Sequence, residues 1–294
     1  MQFFEQYKKG SGNFGTYLLS IALIMSAFVI SNVIVALLIG FDAEILIETQ
    51  SNKSYVLFLK LLPSVILVGT ILVVIKFLHQ RPILSIFTAR NFFSWRRFFE
   101  SFGVWALVMT ILLVIGFQMD GNYAWNFDAR KFFPLLLIAL LFMPFQVGME
   151  ELLFRGYLYQ GFGSMFKHGG LAMLLSALLF GVFHLANPEV AQFGSKVLPF
   201  YFGSALMLGL LSHLDDGLEL SLGFHISNNL FLTLVTTNNW GALQTDALFM
   251  ETGAPEFGWG QWITIGVAYP LFLLIFAWRY KWSNIKQKLF LQSL

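Results

Sequence analysis

Cysteine is absent from all 294 residues. Disulfides, thiolate metal ligands and a cysteine nucleophile are therefore excluded, and redox chemistry gives no guide to compartment. Charge is scarce as well: Asp, Glu, Lys and Arg make up 12% of the chain, about half the share of a soluble domain. A net charge of +2 is too small to argue for a nucleic-acid partner. The chain has no His-Glu-x-x-His pattern, phosphate-cradling glycine loop, internal repeat or low-complexity tract. What fills it is apolar: 57% of residues are hydrophobic and mean hydropathy is +0.71.

This composition belongs to an all-α polytopic membrane protein. Apolar runs fall at about 17–39, 55–75, 101–118, 132–158, 170–187, 197–212, 220–238 and 261–280. A helix of about 20 residues crosses a bilayer, so these read as eight transmembrane helices in a single integral membrane domain, 1–294. The first run is too long for the apolar part of a signal peptide. The fourth is expected to continue beyond the bilayer as one helix, and an acidic turn, 213–219, separates the sixth from the seventh.

Orientation follows from Lys and Arg in the loops. With the N-terminus in the cytoplasm, twelve of the eighteen fall on the cytoplasmic side, four fall outside, and Lys60 and Arg155 lie within spans. The outer loops carry Asp42, Glu44 and Glu48, then Asp246, Glu251 and Glu256. Both termini are expected in the cytoplasm, in what reads as a bacterial cytoplasmic (inner) membrane. The mixed aromatic and basic stretch 90–99 reads as an interfacial loop, with an anionic-lipid site as the sharper alternative.

Three polar clusters interrupt the apolar core at about 132–238: Glu150-Glu151-x-x-x-Arg155, Phe180-x-x-x-His184 and His225-x-x-x-Asn229. An ionised group at the centre of a membrane helix costs about 2.5–3.5 kcal/mol on insertion scales, so groups kept there need a reason. Adjacent helical residues diverge by about 100°. Arg155, four residues after Glu151, shares its face. Glu151 and Arg155 are thus expected to support each other, and Glu150, without a local cation, to act as general base. Counted from a hairpin centred near residue 167, Glu150 and His184 are each seventeen residues away. Equal depth would let a carboxylate and an imidazole hold and activate a water. His225 and Asn229 share a helix face and offer donors for an oxyanion. Phe180 is expected to pack. The bland readings are an ion-pair brace for the carboxylates and interhelical hydrogen bonds for the His and Asn residues. Zinc at Glu150, His184 and His225 is a minority alternative; no cofactor is expected.

These motifs, in this order, resemble those of the CAAX-protease and bacteriocin-processing intramembrane proteases, which include the type II CAAX prenyl endopeptidases. The resemblance covers residues 150–229. It implies an eight-helix bundle with a polar intramembrane cavity. It implies Glu150 as the water-activating glutamate with His184 as its partner, His225 and Asn229 as oxyanion stabilisers, and Glu151 and Arg155 as support. The implied partners are the lipid bilayer and a membrane-associated peptide or protein, prenylated or bacteriocin-like. A non-catalytic immunity or partner-binding protein on the same scaffold is the competing class, and a proton-coupled transporter is a third. An oxyanion site has no purpose in a proton carrier, which favours the peptidase.

Overall fold

The computed structural model describes residues 1–39, 52–119 and 122–290; the expected outer-loop acids Asp42, Glu44 and Glu48 lie outside them. The helices are α1 (Phe14–Ile39), α2 (Lys53–Val73), α3 (Trp95–Met119), α4 (Ala129–Glu150), α5 (Tyr159–Phe166), α6 (Gly169–Phe183), α7 (Pro188–Phe193), α8 (Leu198–Leu214), α9 (Glu219–Leu234), α10 (Trp259–Ile263), α11 (Tyr269–Arg279) and α12 (Ile285–Phe290). Side chains start several of them. The carboxamides of Asn13 and Asn52 accept from the amides of Thr16 (2.8 Å) and Tyr55 (3.1 Å). Asp128 accepts from Arg130 N–H (2.9 Å) at the head of α4. Each satisfies a donor the first helical turn leaves open.

Among the described residues, seven helical stretches are long and apolar enough to cross a membrane, and the protein is an integral membrane protein. The longest, Ala129–Phe166, runs 38 residues, well beyond the roughly 20 that a bilayer core needs. The seventh expected span, at about 220–238, differs. Helix α9 holds 16 residues and ends at Leu234, about 24 Å of helix against a hydrocarbon core of about 30 Å. It can be short because protein, not lipid, finishes its ends. Arg90 and the Ser94 amide bind Glu219 at its start (3.1 and 3.2 Å). At its end the hydroxyl of Thr245 donates to Thr233 O (2.7 Å) and Leu248 N–H to Leu234 O (3.1 Å). A three-stranded patch, which an all-helical reading omits, closes that end. The strands are β1 (Tyr123–Trp125), β2 (Thr236–Thr237) and β3 (Phe249–Glu251), in the order β1-β3-β2. Strands β1 and β3 are antiparallel, β2 and β3 parallel.

The other end gathers both terminal segments. A 3-10 helix, Phe3–Lys9, buries Phe3 and Phe4, and Phe3 N–H donates to Asp216 (3.0 Å). Asp215 pairs with Arg90 (2.9 Å) and Arg97 (3.3 Å), and Asp216 pairs with Lys288 of α12. Beneath it His79 Nδ1–H donates to Ser11 O (2.6 Å), and its Nε2 meets Tyr157 Oη (3.0 Å) and Ser20 Oγ (3.2 Å). The first and last described segments thus share one end of the bundle.

Helix α9 is the axis. Its residues Glu219–Ser227 are all buried, against α3 on one side and α4 on another. Gly223 makes the first contact possible: a Cβ there would sit 2.2 Å from Phe98 O and 3.0 Å from Ser101 Cβ. Ser101 Oγ–H also donates to Leu220 O (2.6 Å). Trp105, fully buried, stacks on Phe224 with ring centroids 4.2 Å apart. Helix α1 instead presents Leu18, Phe28, Val29, Ile30 and Leu37 outward, the surface a lipid-facing helix needs. Phe92, Trp95 and Phe99 are likewise exposed at the head of α3.

Candidate active site

The site lies where α4 gives way to a π-helical segment, Glu151–Leu158, before continuing as α5. Such i→i+5 segments widen a helix locally and recur at functional sites. Glu150 is the last residue of α4 and Glu151 the first of the wide turn.

Both carboxylates address one imidazole. His225 Nδ1 lies 2.9 Å from Glu151 Oε1, and His225 Nε2 lies 3.5 Å from Glu150 Oε2. The nitrogens of an imidazole sit on different edges of the ring, so one His on α9 can bridge two carboxylates that diverge along α4. Glu151 Oε1 also accepts from Arg155 Nη1 (3.0 Å). The guanidinium donates to Ala205 O (3.3 Å) and lies over the Phe180 ring at 3.9 Å. Glu151 and Arg155 are fully buried, whereas the Glu150 side chain keeps 16% of its exposure. Glu151 and Arg155 form the expected i,i+4 pair. A carboxylate accepts only. Both edges of the imidazole are thus turned toward acceptor oxygens, and Arg155 supplies the cation beside the buried Glu151.

His184 caps α6, and its Nδ1 meets Phe180 O at 2.8 Å. Its ring packs on Phe180 at 4.3 Å, and Phe180 meets His225 edge-on at 6.1 Å. One phenyl ring thus contacts both imidazoles. Phe180 packs, as expected, and also carries the cation of Arg155. Tyr201 packs against His184 at 5.3 Å with the rings tilted, and donates to Glu189 (3.2 Å). Asn229 Nδ2 donates to Gln146 Oε1 (3.1 Å), and Gln146 Nε2 donates to Glu150 Oε1 (2.6 Å). Gln146 was not legible from the three motifs. The signal was there: an amide one turn before Glu150 in the otherwise apolar stretch 132–149. Among the described residues, no three His, Asp or Glu side chains are grouped to hold a metal ion, and both nitrogens of His225 face carboxylates.

A helical membrane bundle holding a Glu-Glu-x-x-x-Arg element against a His-x-x-x-Asn helix defines a class, and comparison with known proteins agrees with it. Residues 130–231 match the family model described as type II CAAX prenyl endopeptidase Rce1-like. The uncharacterized protein YyaK of Bacillus subtilis (strain 168) is 32% identical over 241 residues, covering 80% of this chain and 77% of that protein. No solved structure matches. The chain belongs to the Rce1-like family of CAAX prenyl endopeptidase-like membrane proteins.

Proposed function

We propose that the protein is an intramembrane endopeptidase that hydrolyses a peptide bond of a membrane-associated substrate with water activated by Glu150. The observation that carries this reading is the linked set Glu150–His225–Glu151–Arg155, in which Glu150 is the most exposed side chain. A brace alone would need one carboxylate; the second is held at its edge, open to a water. In the proposed step Glu150 takes a proton from water as the hydroxyl oxygen bonds to the scissile carbonyl carbon. The carbonyl oxygen becomes an oxyanion, stabilised by an N–H of Asn229 and by His225 Nε2, whose 3.5 Å contact to Glu150 loosens as that carboxylate takes its proton. His184 supplies the second contact to the water. Glu150 then returns its proton to the leaving amine as the C–N bond breaks. Glu151 and Arg155 hold His225 in place.

The family supports substrates of the CAAX type, cut beside a prenylated cysteine. The twelve-to-four bias of Lys and Arg supports a cytoplasmic location for the end that gathers both terminal segments, in a bacterial cytoplasmic membrane. The test is an internally quenched farnesylated CAAX peptide incubated with the protein in liposomes. Wild type cleaves it and Glu150→Gln does not, with unchanged folded yield. Near-normal turnover by Glu150→Gln would remove the general-base assignment.

A further inference from the structure

A run of hydrogen bonds crosses the site from α3 to α4. Trp105 Nε1–H donates to Asn228 Oδ1 (3.2 Å), and Asn228 Nδ2 donates to Asn229 Oδ1 (3.2 Å). Asn229 Nδ2 donates to Gln146 Oε1 (3.1 Å), and Gln146 Nε2 donates to Glu150 Oε1 (2.6 Å). Three carboxamides stand in series, and the chemistry of the two ends fixes how each is turned. An indole N–H can only donate and an ionised carboxylate can only accept. Every amide between them must therefore present its oxygen toward Trp105 and its nitrogen toward Glu150. Turning any one over would set oxygen against oxygen and nitrogen against nitrogen.

Gln146 is the link on which this order matters. It is the only side chain in the run that touches both the proposed base, Glu150, and the proposed oxyanion donor, Asn229. Its donation ties up Glu150 Oε1 and leaves Oε2 on the His225 side. Its carbonyl takes one N–H of Asn229 and leaves that amide's second N–H for a ligand. An apolar residue would fill the same space on α4 without fixing either group. A satisfied interhelical amide would hold α4 to α9, but that role needs neither the contact to Glu150 nor the fixed direction.

We infer that Gln146 is a positioning residue of the peptidase, holding Glu150 and Asn229 so that one carboxylate oxygen faces the water and one amide N–H faces the oxyanion. The inference rests on the peptidase reading and deepens it. Gln146→Met keeps volume and removes both hydrogen bonds; Gln146→Glu keeps an acceptor for Asn229 but, ionised, has no donor for Glu150.

The farnesylated CAAX peptide in liposomes is the probe, with wild type and Glu150→Gln alongside. Gln146→Met lowers kcat by about 10–100-fold, the range for displaced catalytic groups and their supports, and leaves KM within about twofold. Gln146→Glu falls in the same range, and stands in for Gln146→Met if that variant does not fold. Combining Gln146→Met with Asn229→Ala costs less than the product of the two separate losses, because the Gln146–Asn229 part is shared while the Gln146–Glu150 part remains to be lost. Wild-type kcat in Gln146→Met while Glu150→Gln is dead would overturn the inference and leave the peptidase reading standing. So would a rise in KM alone, or full multiplication of the two effects. If wild type shows no Glu150-dependent cleavage, the flat Glu150 comparison identifies the peptidase reading as the failure, and the positioning role falls with it.

Discussion

Glu150 and Glu151 are adjacent, chemically identical and addressed by one imidazole, yet changing each to Gln should have opposite consequences. Gln preserves volume, so packing is matched and the difference is electrostatic. Glu151 is fully buried and receives both Arg155 (3.0 Å) and His225 (2.9 Å). Glu151→Gln leaves the equally buried guanidinium without its closest anion. Removing one partner of a buried pair costs about 3–5 kcal/mol, and Glu150, which also attracts Arg155, moves the expectation toward the lower end. At about 2–3 °C per kcal/mol for a chain of this size, the melting midpoint falls by about 6–15 °C. Glu150→Gln loses an ion contact of 3.5 Å at a partly open position and keeps an acceptor for Gln146. Its cost is about 1 kcal/mol, or roughly 2–3 °C. The assay is thermal unfolding of purified protein in one detergent, with cleavage measured on the same samples. Glu150→Gln should be stable and inactive, Glu151→Gln unstable. Equal shifts of the midpoint, or a shift of under about 2 °C for Glu151→Gln, would refute the division into a reactive and a supporting carboxylate.

Three further outcomes follow from geometry elsewhere. Gly223→Ala puts a methyl 2.2 Å from Phe98 O, so α9 must leave α3; folded yield drops sharply, and residual protein loses activity because His225 is two residues on. Burial is the main force holding the His79 imidazole below its ordinary pKa, with nearby Arg81 adding to it. The folded protein therefore refuses a proton that the unfolded chain accepts, and the contribution of His79 to stability, full above about pH 6.5, is lost as pH falls through and below that value. Melting midpoints at pH 7.5 and 5.5 should differ more for wild type than for His79→Gln, and equal differences would dismiss the effect. Glu150-dependent cleavage should survive dialysis against a chelator; loss of activity with about one zinc per chain, restored by zinc, would replace the carboxylate mechanism with a metal one.

The spans and the three motifs were legible because each leaves a local mark: apolar length, or polar residues one helical turn apart. The Glu151–Arg155 pair followed from that spacing. What spacing along one helix cannot show is what a second helix brings to it. Counting from the hairpin set Glu150 and His184 at one depth; it could not show that α9 brings His225 to both carboxylates, or that His184 Nδ1 bonds its own helix at Phe180 O. The role of Gly223 was hidden for the same reason, since its reason is the backbone of α3. Helix α9 was expected to span to 238 because its apolar run extends there; it stops at Leu234 because the chain from Thr245 to Leu248 returns to take its last carbonyls. Gln146 was overlooked because it belongs to no motif, although a lone amide in an apolar helix asks for a partner.

The wide turn at Glu151–Leu158 changes which length changes this chain can tolerate. In an α-helix, deleting one residue rotates everything beyond it by about 100° and would turn the buried face of α5 toward lipid. A π-helical segment already stores one surplus residue. A deletion after Arg155 can be absorbed by relaxing the segment to α-helix, leaving Glu150, Glu151 and Arg155 in sequence and the α5 face toward Phe4 and Tyr17. An insertion has no such refuge. Among descendants of this sequence, that short stretch is where the helix can lose a residue without losing its alignment.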